Sequence, residues 1–265
     1  GRYRDLCARE QELWRTLDPV WLHAVRRYTT APPCRDIAKL VPALAPFART
    51  TTRLHPRRAP APLPAWQSKI GGLFLWPEAE HWPECPECRV PLAPVIQLRA
   101  SDVPNIEFPP GMDLFQLFWC PDEGVHGYEP TPVVFWRATA DVVSPRLASL
   151  SVGDQGDNQL VPRPCSLYPE AVIEYPDHDE LYWLAGEEQT RAIRTLIDDS
   201  GRVDAEELAE RFDDVDRDRQ SRILVGTELM DCPGTKAGGS PWCGEPRGRL
   251  DHLLTLASWE FDWGC

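Results

Sequence analysis

A short motif that occurs twice constrains the fold of this chain more than any other feature. The motif is a hydroxyl residue, Lys, an apolar residue and two glycines, and a Trp and a Pro follow soon after each copy. The copies are Ser68-Lys69-Ile70-Gly71-Gly72 and Thr235-Lys236-Ala237-Gly238-Gly239. An apolar run typical of a β-strand follows each copy, at 94–101 and at 253–258. Self-similarity of this kind indicates an internal duplication.

The lysines of the two copies stand out because the chain has 25 Arg and only three Lys. Lys adds a compact charge on a flexible stem, and paired glycines permit positive φ or close backbone approach. Each copy could be a turn that enters a strand, or the copies could bind a ligand or partner. The candidate ligand-binding residues are Lys69, Gly71, Gly72, Lys236, Gly238 and Gly239. Neither the phosphate-binding loop nor the dinucleotide fingerprint is present.

Composition and periodicity predict the fold class. The 28 Pro and 11 Trp residues favour short strands and turns over long helices. Further strands are predicted at 114–119, 132–137 and 171–175, and helices at 4–28, 36–44 and 187–212. We predict an α+β, mainly antiparallel β fold that is internally duplicated and carries an N-terminal helical leader. The predicted divisions are a leader at 1–55, a Pro-rich linker at 56–65, and a domain at 66–265 made of repeat 1 (about 66–180) and repeat 2 (about 181–265).

Charge is divided unevenly along the chain. Residues 1–65 hold 12 Lys and Arg against 5 Asp and Glu, whereas residues 66–265 hold 16 against 36. The acidic body should repel nucleic acid and anionic membranes and attract a basic protein partner. The basic leader could contact phosphate or lie against the acidic body.

Cysteine usage indicates the cellular compartment. The chain has nine Cys, an odd number, and it has no signal peptide and no apolar run of membrane-spanning length. We therefore expect a reducing cytoplasm. Because the chain starts with Gly and ends at Cys265 without a polar tail, we expect that it is cut from a longer product and truncated at its C-terminus.

Cys85-Pro86-Glu87-Cys88 has the spacing of a metal-binding knuckle. Two thiolates separated by two residues can hold one edge of a zinc tetrahedron, and a structural site needs two more ligands. The nearest candidates are Cys120 and His126. Two alternatives stay open, namely reduced thiols that stabilise a turn and a redox pair.

No catalytic residue is assigned from the sequence. His81, His178 and His252 could each act as an acid or base. None of them comes with a nucleophile elbow or a recognisable triad order.

Several of these segments together resemble the YwqG-like family, a group of bacterial proteins of unknown function. The segments that carry the resemblance are Ser68–Gly72, Trp82–Cys88, Leu114–Cys120, Lys236–Trp242 and His252–Leu256. It covers roughly residues 66–265 and implies a duplicated, mainly antiparallel α+β fold with no established activity. Some members are thought to be encoded beside secreted toxins, which suggests immunity proteins. This chain departs from the family pattern in its second half, which lacks a second Cys pair.

Charge and resemblance together favour a non-enzymatic cytoplasmic binding protein, of the immunity type, that holds a basic toxin domain. The alternative is a small-molecule or metal-dependent enzyme with a cleft between the two repeats, where Lys69 and Lys236 would bind an anionic substrate. A third hypothesis is a purely structural scaffold built on a zinc knuckle.

Overall fold

The fold is α+β and its strands pair antiparallel, as the sequence predicts. The computed structural model describes residues 29–30, 37–59, 62–126, 130–142, 160–176, 178–193, 195, 234–239 and 252–257. Among these residues, no helix is both long and apolar enough to cross a bilayer.

The described chain forms ten strands and a few short helices. The strands are β1 (Arg49–Arg53), β2 (Arg57–Arg58), β3 (Lys69–Ile70), β4 (Ala93–Arg99), β5 (Leu114–Trp119), β6 (Pro132–Arg137), β7 (Cys165–Ser166), β8 (Glu170–Glu174), β9 (Lys236–Ala237) and β10 (Leu254–Thr255). The α-helices are α1 (Ile37–Leu40), α2 (Glu123–His126) and α3 (His178–Ala185), and residues 187–193 are also helical. Short 3₁₀ helices cover Pro42–Phe47, Ala100–Asp102 and Thr139–Asp141.

The chain divides into two compact units, and the first lies mainly within Leu54–Pro169. Its six-stranded sheet has the order β2-β7-β3-β4-β5-β6. Strands β4 and β5 are buried along nearly their whole length, which explains why their sequences are mainly apolar on both faces. A bulge interrupts their ladder between Pro94 and Ile96.

A buried polar ladder crosses this sheet on one face. Gln97 of β4 lies opposite Gln116 of β5, and the Gln116 Nε2 donates to the Gln97 Oε1 at 2.9 Å. The same Gln97 oxygen accepts the Leu75 N–H at 2.9 Å. Arg137 of β6 donates to the Gln116 Oε1 at 3.3 Å and forms a bidentate pair with Glu80. The ladder satisfies polar groups inside an apolar sheet and fixes the 74–80 segment against it.

The second unit lies mainly within Trp14–Arg53 and Glu170–Leu256. Its four-stranded sheet has the order β10-β9-β1-β8. The three consecutive β-branched threonines of β1 favour an extended strand, and β1 pairs with β8 from Arg49↔Glu174 to Arg53↔Glu170. The hydrophobic core of this unit contains Val41, Leu44, Leu181 and Ile193.

The predicted strands at 114–119 and 132–137 are confirmed at their predicted bounds. The predicted strands at 94–101, 171–175 and 253–258 are present with shifted or shorter bounds. The predicted helix at 36–44 is four residues long, because Pro42 begins a 3₁₀ turn.

The sequence predicted no strand before residue 66, but β1 and β2 both lie in that region. The predicted helix at 4–28 and most of that at 187–212 fall outside the described residues. The helical leader, the linker and the two repeats therefore stay predictions.

Candidate metal centre

Four predicted metal ligands meet at one point in the first unit. The ligand atoms of Cys85, Cys88, Cys120 and His126 all lie within 4.8 Å of one another. The Cys85 Sγ is 3.2 Å from the His126 Nε2, and the Cys88 Sγ is 3.4 Å from the Cys120 Sγ. These side chains come from two segments that lie more than 30 residues apart in the sequence, so the cluster is a product of the fold.

The first two ligands lie in a tight turn between short extended segments. Glu84 bridges to Pro91, and the Leu92 N–H donates to the Pro83 carbonyl at 2.9 Å. Inside this bridge the Cys85 N–H donates to the Val90 carbonyl at 2.8 Å, and the Arg89 N–H donates to the Cys85 carbonyl at 3.0 Å.

Arg89 closes this turn with a φ of 62°, a left-handed conformation that is uncommon outside glycine. The turn and its hydrogen bonds bring the two sulfurs of the C-x-x-C pair to the same side.

The other two ligands follow β5, the strand next to the edge strand β6. Cys120 comes directly after β5, and His126 ends helix α2. The Asp122 carbonyl accepts the His126 N–H at 3.2 Å, and the Asp122 Oδ1 accepts the Gly124 N–H at 2.9 Å. Local hydrogen bonds of this type favour the turn that carries the imidazole back toward the strand end.

The electrostatic environment distinguishes the buried thiols. Hydrogen bonds to its sulfur lower the pKa of Cys85 to about 6, although burial acts in the opposite direction. The strongest of these bonds comes from the Cys88 N–H, and further bonds come from the Glu87 N–H and from His126. Burial, supported by the neighbouring thiols Cys88 and Cys85, raises the pKa of Cys120 to about 12. Amides directed at a sulfur favour its thiolate, the form that binds metals.

Aromatic side chains surround the thiols. Cys85 and Cys120 belong to one buried cluster with Phe74, Trp76, Leu92 and Phe118. Trp82 packs against this cluster and donates its Nε1–H to the Leu92 carbonyl at 2.9 Å. The Trp76 and Trp82 ring centroids are 5.4 Å apart, so two indoles lie beside the candidate site. The knuckle is therefore part of the core of its unit.

The first K-x-G-G copy forms a buried corner. Lys69 is fully buried, and its Nζ donates to the Pro64 carbonyl at 2.6 Å. Burial lowers the pKa of Lys69 to about 8. Gly71 has a φ of 57° and Gly72 a φ of 72°, and a Cβ on Gly71 would lie 2.4 Å from the Pro162 carbonyl oxygen. Both conformation and space therefore require glycine at position 71.

The second copy forms a comparable corner in the other unit. Lys236 is buried and its Nζ lies 2.8 Å from the Glu174 Oε2. Gly238 has a φ of 70° and Gly239 a φ of 83°. A Cβ on Gly239 would lie 1.8 Å from the Glu174 Oε1, so this glycine makes room for the carboxylate.

His252 lies near this second corner. Burial, together with the charges of Lys236 and Arg49, lowers its pKa to about 4.

The structure thus brings together the four predicted metal ligands, and it buries both predicted lysines among protein partners. The two corners belong to different units, and a ligand-binding role for them stays a prediction. Sequence reasoning missed Glu174 and the glutamine ladder. A single Gln in the middle of each apolar run, at 97 and 116, was the available signal for the ladder.

No protein-family model matches the chain, and a search of curated proteins finds no match.

Proposed function

We propose that this chain is a non-enzymatic binding protein whose first unit is stabilised by a structural zinc ion on Cys85, Cys88, Cys120 and His126. The observation that carries the proposal is the convergence of these four ligand atoms within 4.8 Å. A tetrahedral zinc site has Zn–S of about 2.3 Å and Zn–N of about 2.0 Å, so its ligand atoms are roughly 3.5–3.8 Å apart. Two of the ligand pairs, at 3.2 and 3.4 Å, are near this spacing.

The donor set favours zinc over other common metals. Three thiolates and one imidazole are soft or borderline ligands, whereas magnesium and calcium prefer oxygen. Three Cys and one His is a common composition of structural zinc sites.

A structural role agrees with the number of protein ligands. Four protein ligands fill the coordination shell, whereas a catalytic zinc ion keeps one position for water or substrate. The ion would link the turn at Cys85–Cys88 to the end of β5 and the helix that carries His126. Its contribution would therefore be to the stability of the first unit.

The buried lysines support a structural function for the two corners rather than an enzymatic cleft. An anionic substrate needs an accessible ammonium group, but Lys69 is fully buried against Pro64 and Lys236 is buried against Glu174. A buried ion pair such as that of Lys236 with Glu174 can specify one arrangement of the chain. The corresponding hypothesis is that Lys69 and Lys236 hold their diglycine turns in place.

The internal duplication forms part of this proposal. Within the first unit β3 lies between β7 and β4, and within the second unit β9 lies between β1 and β10. In each unit the first glycine donates its N–H at 2.9 Å to a downstream carbonyl, Gly71 to Val95 in β4 and Gly238 to Leu253, the residue before β10. These matching features support the duplicated fold that the YwqG-like resemblance implies.

The proposed partner is a basic protein met in the cytoplasm, such as a toxin domain bound by an immunity protein. Residues 66–265 hold 36 acidic residues against 16 basic ones, and this excess of negative charge supports the proposal. Charge complementarity of this kind raises the association rate and selects basic partners. Affinity capture from native lysate tests it. Recovery of a basic protein that rising salt releases would support it, and recovery of no protein partner would contradict it.

Cobalt substitution tests the zinc proposal itself. Co²⁺ added to the reduced, metal-free full chain should give the visible absorption of a tetrahedral site and a sulfur-to-cobalt charge-transfer band, and zinc should displace it. The Cys85→Ser variant should lose both signals, whereas Cys165→Ala, which alters a buried thiol outside the cluster, should keep them. Absence of thiolate bands in the unaltered chain would refute the proposal.

A further inference from the structure

We propose that Cys88 and Cys120 form a peroxide-sensitive disulfide that releases the zinc ion of this site. This inference rests on the proposed structural zinc centre. It concerns a different pair from the C-x-x-C neighbours Cys85 and Cys88. The geometry that supports it is the 3.4 Å contact between the Cys88 Sγ and the Cys120 Sγ.

The two sulfurs are close enough for a bond to form after small side-chain movements. A disulfide has an S–S distance of about 2.0 Å, so the sulfurs must approach by roughly 1.4 Å. The buried Cys85 has the His126 imidazole at 3.2 Å, and its side chain also interacts with that of Cys88. The 3.4 Å contact places Cys120 within reach of Cys88, the most exposed of the three thiols.

Exposure gives the two sulfurs different roles. Cys85 and Cys120 are buried, whereas Cys88 is only partly buried. A dissolved oxidant therefore reaches Cys88 first, and Cys120 lies beneath it as the resolving thiol. This arrangement of an accessible thiol beside a resolving one is typical of redox-sensitive cysteines.

The oxidant is hydrogen peroxide, and the reaction balances in two steps. The Cys88 thiolate attacks one peroxide oxygen, the O–O bond breaks, and hydroxide leaves, which gives a sulfenic acid on Cys88. The Cys120 thiolate then attacks the Cys88 sulfur, an S–S bond forms, and a second hydroxide leaves. Each sulfur loses one electron, peroxide takes up both electrons with two protons to give two waters, and zinc leaves as Zn²⁺.

Release of the ion follows from the ligands that remain. A Cys88–Cys120 disulfide removes two of three thiolates, which leaves only Cys85 and His126 for zinc. Two ligands cannot complete a structural tetrahedron. The disulfide itself links the knuckle to the end of β5, so it replaces the metal as the connection between these segments.

The test treats the zinc-loaded full chain with hydrogen peroxide in the presence of a chromogenic zinc chelator. We expect release of about one zinc ion per chain, with a Cys88–Cys120 crosslink in peptides mapped by mass spectrometry without reduction. A thiol reductant should reverse both changes. The Cys165→Ala variant should release zinc equally. Retained zinc, a Cys85–Cys88 crosslink, or overoxidation without a crosslink would overturn the inference.

A parallel experiment separates this inference from the zinc proposal. Metal-free reduced protein receives the same peroxide treatment. If the chain binds no metal but still forms the Cys88–Cys120 crosslink, the zinc proposal fails. The disulfide then stands, and the part of the inference that concerns metal release is refuted. If zinc binds and the crosslink is absent, the zinc proposal stands and the disulfide inference fails.

Discussion

Lys236 and Glu174 form an ion pair inside the second unit, with the Nζ 2.8 Å from the Oε2 and each side chain only 1% exposed. The two residues come from different strands, β9 and β8, which do not pair directly because β1 lies between them. Two charges removed from water must compensate each other, since each alone carries a large desolvation cost. The pair therefore fixes β8 and β9 to one arrangement around β1.

Breaking this pair should destabilise the second unit strongly. Lys236→Met leaves the Glu174 carboxylate buried without its cation, and we expect a loss of about 3–5 kcal/mol in the free energy of unfolding. Urea unfolding at neutral pH measures it. The double variant Lys236→Met/Glu174→Leu should recover most of the loss. A Lys236→Met protein as stable as the original would contradict this interpretation.

Lys69 should make stability depend on alkaline pH. Its pKa is about 8 in the folded chain against 10.5 when unperturbed, so between these values the unfolded state binds more protons. Stability contributed by Lys69 therefore rises as pH increases from about 8 to 10.5 and is absent below that window. The full change is at most about 3 kcal/mol.

The comparison of unfolding free energies between the original chain and Lys69→Met isolates this effect, since other titrating groups cancel. We expect the free energy of unfolding of the original chain, relative to that of Lys69→Met, to rise as pH increases from about 8 to 10.5. A flat difference for Lys69→Met would show that the amine titrates alike in both states.

Gly71 should tolerate substitution less well than Gly111, although both have positive φ, 57° and 80°. A Cβ at position 111 meets nothing within 4 Å, so Gly111→Ala should cost only the conformational penalty of about 1–2 kcal/mol. Gly71→Ala adds a clash with the Pro162 backbone and should cost about 1–3 kcal/mol more. Thermal or urea unfolding measures both variants. An equal loss of stability in Gly71→Ala and Gly111→Ala would mean that the backbone around position 71 relaxes freely around the new methyl group.

Removal of the proposed metal should destabilise the first unit. A ligand that binds only the folded state adds about 3 kcal/mol when present at a hundred times its dissociation constant. A strong chelator should therefore lower the melting temperature of the reduced chain, and His126→Ala should lower it without chelator. Cys165→Ala should keep its response to chelator. A melting temperature that chelator leaves unchanged would argue for reduced thiols alone.

Local patterns predicted much of this fold. Strands β4, β5 and β6 were predictable because each consists mainly of apolar or β-branched residues. The four clustered residues were predictable because C-x-x-C has metal-ligand spacing and because Cys120 and His126, the nearest further candidates, follow a strong strand. The strands and each pair of ligands depend on residues close together in the sequence, whereas the meeting of the two pairs, 32 residues apart, depends on the fold.

Other features could not be predicted because they depend on contacts between distant segments. Lys236 and Glu174 are 62 residues apart, and no spacing rule pairs them. Strand β2 is two residues long within a proline-rich stretch, and it forms because Arg57 and Arg58 pair with Ser166 and Cys165. The sequence identified the lysines as unusual, but their burial is set by the surrounding strands.

The most direct test of the central claim is the metal content of the full chain, purified under reducing conditions without added metal or chelator. Elemental analysis by mass spectrometry, set against an absolute protein concentration, should find about one zinc ion per chain. The Cys85→Ser variant should lose it and Cys165→Ala should keep it. A folded, metal-free chain that takes up no zinc when zinc is supplied would contradict the account.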